Sequence, residues 1–171
     1  MKSRLSFLIT SLLFITGCSV RNSTMEIPAV SGLNLSRYMG TWYEIARKPH
    51  FFEKGMTHVS ASYEMLPDGR IRVTNRGIRN GKEEMIRGWA RENGNPGTGE
   101  LEVSFFRPFY GPYRIIYIDP DYALAIVTSS NRDYLWILSR SRNITPGEKE
   151  FCLDFLKNTG FSTEDLIWVD Q

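Results

Sequence analysis

The feature that most constrains the fold is a succession of short alternating segments joined by tight turns. Residues 57–65 (THVSASYEM) carry apolar side chains at every second position, and Pro67-Asp68-Gly69 then leads into residues 70–76 (RIRVTNR), which alternate in the same way. A period of two is typical of a strand with one buried face, and two such runs around a turn indicate a hairpin. The pattern therefore predicts antiparallel β-structure.

The same alternation continues to residue 140, with an expected break between Pro108 and Pro112. The predicted strands are residues 41–48, 57–65, 70–76, 83–91, 100–106, 113–119, 122–129 and 134–140. Short strands in simple succession favour an all-β, up-and-down antiparallel sheet, and closing that sheet removes the unpaired edges that invite aggregation. Eight strands form a barrel wide enough to hold one small ligand.

One helix follows the last predicted strand. Thr145 and Glu148 have the spacing of a capping box, Pro146 suits the first helical position, and Gly160 ends a helix that runs to about Asn158. An eight-stranded barrel has no room for a helix, so we expect this one to pack outside, followed by a short strand near residues 167–169. Its predicted apolar stripe is Phe151, Cys152, Phe155 and Leu156.

The N-terminus has the organisation of an export signal. Lys2 and Arg4 precede an apolar run from Leu5 to Ile15, which spans about 16 Å as a helix and is too short for a hydrocarbon core about 30 Å thick. A membrane-spanning anchor is the alternative. The predicted division of the chain is a signal peptide at 1–17, a polar tether at 18–34 and a barrel domain at 35–171.

The end of the signal resembles a bacterial lipobox, Ile15-Thr16-Gly17-Cys18. This resemblance implies cleavage before Cys18 and attachment of several acyl chains to it, which hold a protein stably on a membrane. Ser19 implies the outer membrane of a Gram-negative bacterium. The alternative is a secreted eukaryotic protein with glycosylation at three sequons, which begin at residues 22, 34 and 143.

Charge and cysteine content limit the partners. Removing residues 1–17 takes away two of the 21 basic side chains and leaves 19 against 19 acidic ones, without a like-charged cluster. This balance gives no electrostatic reason to expect nucleic acid as a partner. With Cys18 acylated, Cys152 remains alone, and no intramolecular disulfide is expected.

Three motifs, in order, resemble those of the lipocalin family. Gly40-Thr41-Trp42 opens the first strand, Asp121-Tyr122 precedes the seventh, and Arg140 ends the eighth. The similarity runs from about residue 35 to 171, and segments such as VSFFRPFYGPY and IWVDQ resemble the lipid-anchored outer-membrane members of bacteria. The resemblance implies a barrel floor made by Trp42 with the Arg140 guanidinium stacked on it. The second motif departs from the family pattern because no threonine precedes its aspartate.

The alternation places a mostly apolar set of side chains inside the barrel. As ligand contacts we predict Val59, Ala61, Tyr63, Val73, Asn75, Val103, Phe105, Tyr113, Ile115 and Trp136, with Leu101 also inside. The resemblance implies a fatty acid or lysophospholipid as ligand, with carriage or storage of membrane lipid as the role. Tyr113 and Asn75 are the predicted polar contacts. The alternative is a filled barrel that acts through its outer surface as a structural or interaction module.

An enzymatic role has little support in the sequence. His50 and His58 lack partners at metal-ligand spacing, and Cys152 lies on the predicted buried stripe rather than in an electropositive, open setting. We therefore expect no catalytic residue, no metal site and no cofactor; a lipid-processing enzyme is the remaining alternative in this class. Trp89 is predicted to point outward, as plain surface or as a dimer or membrane contact, so a homodimer stays open.

Overall fold

The computed structural model describes residues 27–129 and 132–171. The predicted signal peptide, Cys18 and the tether as far as residue 26 lie outside the described residues. Within the described residues a helical turn, α1 (Leu35–Tyr38), precedes the sheet. The strands of the barrel are β1 (Gly40–Arg47), β2 (Met56–Met65), β3 (Ile71–Arg79), β4 (Lys82–Glu92), β5 (Glu100–Phe106), β6 (Phe109–Ile118), β7 (Leu124–Thr128) and β8 (Leu135–Ser139). Helix α2 (Pro146–Asn158) and strand β9 (Ile167–Trp168) follow.

The eight strands form a closed antiparallel barrel, as predicted. Each pairs with the next along the chain, and β1 pairs with both β8 and β2, which completes the circle. The strands alternate in direction, so the loops collect at two ends. We call the end with the start of β1 and the β6–β7 turn the floor, and the end with the β1–β2 and β5–β6 loops the mouth.

The first strand separates from β2 near the mouth, and the C-terminus fills that gap. A register irregularity between Glu44 and Ala46 bends β1, and β9 pairs with Ala46 and Arg47 there. The side-chain amide of Gln171 donates to the carbonyl oxygens of Glu44 and Val59, at 2.7 and 2.8 Å. The last residue of the chain therefore bridges β1 and β2 where their own ladder has ended.

Residues just before α1 are part of the packed structure. The main chain of Val30 exchanges hydrogen bonds with Gly99 and Ile115, and Leu33 is buried in the cluster around Trp42. These contacts extend the barrel domain to the N-terminal side of the boundary predicted at residue 35. The predicted tether at 18–34 thus includes residues that pack against the barrel, among them Ile27, Val30 and Leu33.

Helix α2 packs on the outside of the barrel, as expected. Its capping box is present in full: the Thr145 hydroxyl accepts from the Glu148 main-chain N–H, and the Glu148 carboxylate accepts from that of Thr145. Cys152 and Leu156 are fully buried against outward-facing side chains of β1 and β6 to β8. Phe151 is partly exposed and contacts Tyr117, so the predicted stripe holds with one member at its edge.

One strand boundary differs from the sequence prediction. The expected break between Pro108 and Pro112 is wrong, because β6 begins at Phe109 and carries Gly111 and Pro112 opposite Val103 and Glu102 of β5. The hairpin turn is confined to Arg107 and Pro108. No helix in the described part of the chain is both long enough and apolar enough to cross a membrane.

Candidate functional site

The floor is built around Trp42, which is fully buried. The indole N–H donates to the carbonyl oxygen of Tyr38 at 2.8 Å, and the guanidinium of Arg140 lies 3.8 Å from the centre of the indole ring. Arg140 also donates to main-chain carbonyls of the α1–β1 segment, among them Met39 at 2.7 Å and Thr41 at 2.8 Å. One cation therefore ties the residue after the last barrel strand to the start of the first.

Gly40 is required by this close approach. Its φ is +95°, a conformation that side chains disfavour, and a Cβ at this position would lie 3.2 Å from a terminal nitrogen of Arg140. The predicted roles of Gly40, Trp42 and Arg140 in closing the barrel agree with this arrangement.

Three tyrosines lie above the floor. The Tyr113 hydroxyl is 2.6 Å from that of Tyr38 and accepts from that of Tyr63 at 2.9 Å. Burial raises the pKa of Tyr63 to about 12 and raises the pKa values of Tyr38 and Tyr113 well above their usual value. All three are therefore neutral at physiological pH, and the hydroxyl of Tyr113 already has two partners within the protein.

A cavity of about 320 Å³ lies above these tyrosines. Nine of the ten predicted ligand contacts line it: Val59, Ala61, Tyr63, Val73, Asn75, Val103, Phe105, Tyr113 and Trp136. The tenth, Ile115, is fully buried in the cluster with Trp42 and is not among the residues that line the cavity. Leu101 lies in the same cluster.

Asn75 is the lining residue with the clearest free polar group. Its side-chain oxygen is buried from solvent and has no hydrogen-bond partner within the described residues. Because burying an unsatisfied acceptor is unfavourable, a donor from a bound molecule or water would stabilise this position.

A buried charged cluster forms one side of the cavity, and the sequence analysis missed it. Arg47 donates to a carboxylate oxygen of Glu44 at 2.6 Å and to the carbonyl oxygen of Glu53 at 2.8 Å. The Glu53 carboxylate lies 3.0 Å from the His50 ring and accepts from the Trp136 indole at 3.3 Å. Alternation counted from Trp42 places Glu44 inside the barrel. The positions of Arg47, His50 and Glu53 could not be predicted in this way, because β1 is irregular after Glu44 and a 3₁₀ turn spans Phe51–Glu53.

The cluster holds one carboxyl in its neutral form. Burial first, and the nearby Glu53 second, raise the pKa of Glu44 to about 8, although Arg47 acts in the opposite direction. At neutral pH Glu44 is therefore largely protonated. The rest of the cavity lining is mostly apolar, and this cluster forms its most polar wall.

The cavity continues to the mouth. A wider groove of about 820 Å³ at that end shares five lining residues with it: Phe52, Glu53, Val59, Asn75 and Phe105.

Trp89, which was predicted to point outward, is half-buried, with Arg70 at 4.8 Å and Arg107 at 4.9 Å from its ring centre.

Groups with catalytic potential are placed unfavourably. Burial raises the pKa of Cys152 to about 12, and the thiol faces the packed interior between α2 and the barrel. His58 is exposed on β2 at an irregularity in its pairing with β3, while His50 belongs to the charged cluster. Among residues 27–129 and 132–171, no group of three or more His, Cys, Asp or Glu side chains has the arrangement of a metal site.

The chain resembles known proteins over most of its length. It is 41% identical over 165 residues to outer membrane lipoprotein Blc of Citrobacter freundii, covering 95% of this chain and 93% of that one. The Blc protein of Escherichia coli strain K12 is 39% identical, with the same coverage of each chain. Insecticyanin of the tobacco hornworm Manduca sexta has the same fold, with a TM-score of 0.70 and 21% identity over 85% of each chain. A model of the lipocalin-like domain matches residues 33–171, and the chain belongs to the lipocalin family.

Proposed function

We propose that this lipocalin binds one fatty acid or lysophospholipid in its barrel and carries or stores membrane lipid in the bacterial cell envelope. The observation that supports this most is the shape of the interior: an apolar cavity blocked at the floor by Trp42 and continuous with the mouth. A ligand with a long apolar chain and one polar end suits such a cavity, because the chain is buried while the polar end stays near water.

The energetics favour an acyl chain. Burying about sixteen carbons at roughly 0.8 kcal/mol per CH₂ gains on the order of 10 kcal/mol before losses. Association costs at least ~4 kcal/mol in lost freedom of motion. The difference of at most about 6 to 8 kcal/mol corresponds to a dissociation constant between tens of micromolar and about 1 μM.

The polar contacts suggest how the ligand lies. Among the described residues no Lys or Arg side chain lines the cavity, so a carboxylate or phosphate buried at the mid-barrel wall would have no cation to pair with. The head group is thus placed nearer the mouth, with the chain end directed towards Tyr113. Asn75, with its free acceptor, borders both the cavity and the mouth groove and is our first choice for a polar contact.

The relatives support a location for this activity. The Blc proteins of Citrobacter freundii and Escherichia coli are named outer membrane lipoproteins, and the lipobox at Cys18 supplies this chain with an equivalent anchor. We therefore place the protein on the outer membrane of a Gram-negative bacterium, held by acyl chains on Cys18. The cleaved signal peptide would be residues 1–17, and residues 18–26 would link the anchor to the packed domain.

A binding role is favoured over an enzymatic one. The buried Cys152 thiol has a pKa of about 12, and the carboxyl groups in the cavity wall, those of Glu44 and Glu53, are paired with Arg47 and His50. The rival proposal is a structural or interaction module whose barrel is filled by its own side chains and which acts through its outer surface.

A lipid titration with matched variants separates these possibilities. The purified protein is titrated with palmitate and with a palmitoyl lysophospholipid, and native mass spectrometry reports the lipid that copurifies. Ala61→Phe places a ring in the cavity, whereas Ser62→Phe places the same ring on the opposite face of β2. We expect one lipid per chain, affinity lost in the first variant and kept in the second. Wild-type protein that carries no lipid and ignores both ligands would refute the proposal, and turnover of either ligand would indicate an enzyme.

A further inference from the structure

The mouth carries an unusual concentration of exposed apolar side chains. Phe51, Phe106 and Phe109 are 82%, 74% and 77% exposed, and Met85 and Ile86 on β4 are 44% and 38% exposed. These five residues, which we call the mouth patch, border the same groove. Large contiguous apolar areas on a soluble domain mark contact surfaces, because leaving aromatic rings in water is unfavourable.

The patch lies at one end of the barrel. In the described part of the chain, six of the nine large apolar side chains with substantial exposure surround the mouth, Phe52 being the sixth. At the floor end the corresponding exposed residue is Met65. The exposed large apolar side chains of the barrel are therefore concentrated at its open end.

The protein holds the patch in place. Arg79 donates to the carbonyl oxygens of Phe52 and Lys54, at 2.7 and 2.9 Å, and so fixes the loop that carries Phe51. The Phe51 ring packs edge-on against that of Phe52, with 5.4 Å between ring centres. Phe106 and Phe109 are paired across the β5–β6 hairpin. Exposure of these rings is thus a property of ordered loops.

The position of the N-terminus is compatible with a membrane at the mouth. The carbonyl oxygen of Ile27 accepts from Arg114, which lies five residues along β6 from Phe109, or about 17 Å from the mouth. The nine residues from 18 to 26 reach up to about 30 Å when extended. An anchor at Cys18 can therefore lie level with the mouth patch.

We propose that the mouth patch lies on the lipid bilayer in which the acylated N-terminus is anchored, so that the barrel opens directly towards the membrane. The apolar groove then connects the bilayer with the interior cavity, and an acyl chain passes between them with little exposure to water. This inference rests on the proposed lipid anchor and is independent of which lipid the cavity holds.

Spin labels on the full acylated protein test this orientation. Lys54→Cys places a label beside the patch, and Asn95→Cys places one on the exposed β4–β5 loop at the floor. Cys152 is fully buried and does not compete for the label. The protein is reconstituted into vesicles of phosphatidylethanolamine and phosphatidylglycerol, and collision of each label with oxygen and with a water-soluble nickel complex is measured. We expect nickel collision to fall severalfold at position 54 on reconstitution and to stay unchanged at position 95.

Two further variants show whether the patch causes the contact. In the Lys54→Cys background, combined Phe51→Ser, Phe106→Ser and Phe109→Ser should restore nickel collision, while Phe151→Ser, which alters a partly exposed ring on α2, should not. Equal nickel collision at positions 54 and 95 would overturn the proposal. So would dipolar broadening between labels at position 54 with no gain in oxygen collision, which would indicate a second copy of the chain. Protein that fails to float with the vesicles would refute the anchor itself, whereas lipid titration in detergent tests the cavity separately.

Discussion

Replacing Arg140 by alanine should strongly destabilise the barrel. The guanidinium donates to the carbonyl oxygens of Arg37, Tyr38, Met39, Thr41 and Tyr122 at 2.7 to 3.2 Å, besides covering the Trp42 ring. Three of these hydrogen bonds are partly buried and two are exposed, so water replaces the exposed pair at little cost.

The expected loss is about 4 kcal/mol. Each partly buried, charge-assisted hydrogen bond contributes about 1 kcal/mol or somewhat more, and the cation–π contact adds about 1 kcal/mol. For a domain of this size such a loss lowers the melting temperature by roughly 8 to 16 °C. Arg140→Lys should recover less than half, because an ammonium on a flexible stem cannot reach carbonyls on several sides at once.

Urea unfolding of lipid-free protein measures this loss. Arg142→Ala is the matched control, because Arg142 is an exposed arginine whose guanidinium lies 4.6 Å from the centre of the Tyr43 ring. Unlike Arg140, it is not part of the floor. We expect the control to lose less than about 1 kcal/mol. If Arg140→Ala loses no more than Arg142→Ala, the floor does not depend on this cation and the reasoning fails.

Three further predictions concern single groups. Gly40→Ala should lose about 1 to 3 kcal/mol in urea unfolding, because its φ is +95° and the new methyl meets Arg140; an unchanged midpoint would contradict this. The pKa of Glu44 in the folded protein is raised to about 8, so the folded protein binds a proton that the unfolded chain releases. The free energy of unfolding should therefore decrease as the pH rises from about 4.5 to 8, by up to about 1.4 kcal/mol per pH unit. Glu44→Gln should flatten that profile; parallel profiles would refute the assignment. Cys152, with its pKa of about 12, should react with iodoacetamide at pH 8 only on unfolding, and fast labelling of folded protein would show that the thiol is accessible.

The barrel itself could be predicted because its determinants are local. Alternation with a period of two, Pro-Asp-Gly and Asn-Gly turns and a capping box each act over a few residues, and closure follows once eight hairpin-linked strands are present. The floor was expected through the resemblance of Gly40, Trp42 and Arg140 to lipocalin motifs, and the sequence carried no information on the five carbonyls to which Arg140 donates.

The features that escaped prediction depend on irregular backbone. The register change after Glu44 directs the Arg47 side chain inward, and the 3₁₀ turn at Phe51–Glu53 brings Glu53 next to Arg47. Neither the register change nor the turn has a periodic signal in the sequence. Pro112 suggested a break, but the ladder with β5 tolerates it opposite Glu102. Ile115 alternates inward as predicted, yet depth along the barrel axis, which alternation does not encode, puts it among the packed residues at the floor.

The N-terminal segment illustrates a similar limit. A stretch rich in Ser, Gly, Asn and Pro favours a loose linker, and nothing in its composition shows that Val30 pairs with Gly99 or that Leu33 is buried beside Trp42. Such contacts are set by the surface that the finished barrel presents, which only the structure defines.

Locating the bound acyl chain tests the central claim most directly. Carbon-13-labelled palmitate is added to the purified protein, and nuclear Overhauser contacts between its methylene protons and protein side chains are measured. We predict contacts with Val73, Val103 and Phe105, the terminal methyl nearest Tyr113, and none with Ile126 or Leu156 on the outer side of the wall. Contacts confined to the outer surface, or none at all at saturating ligand, would contradict a barrel that holds lipid.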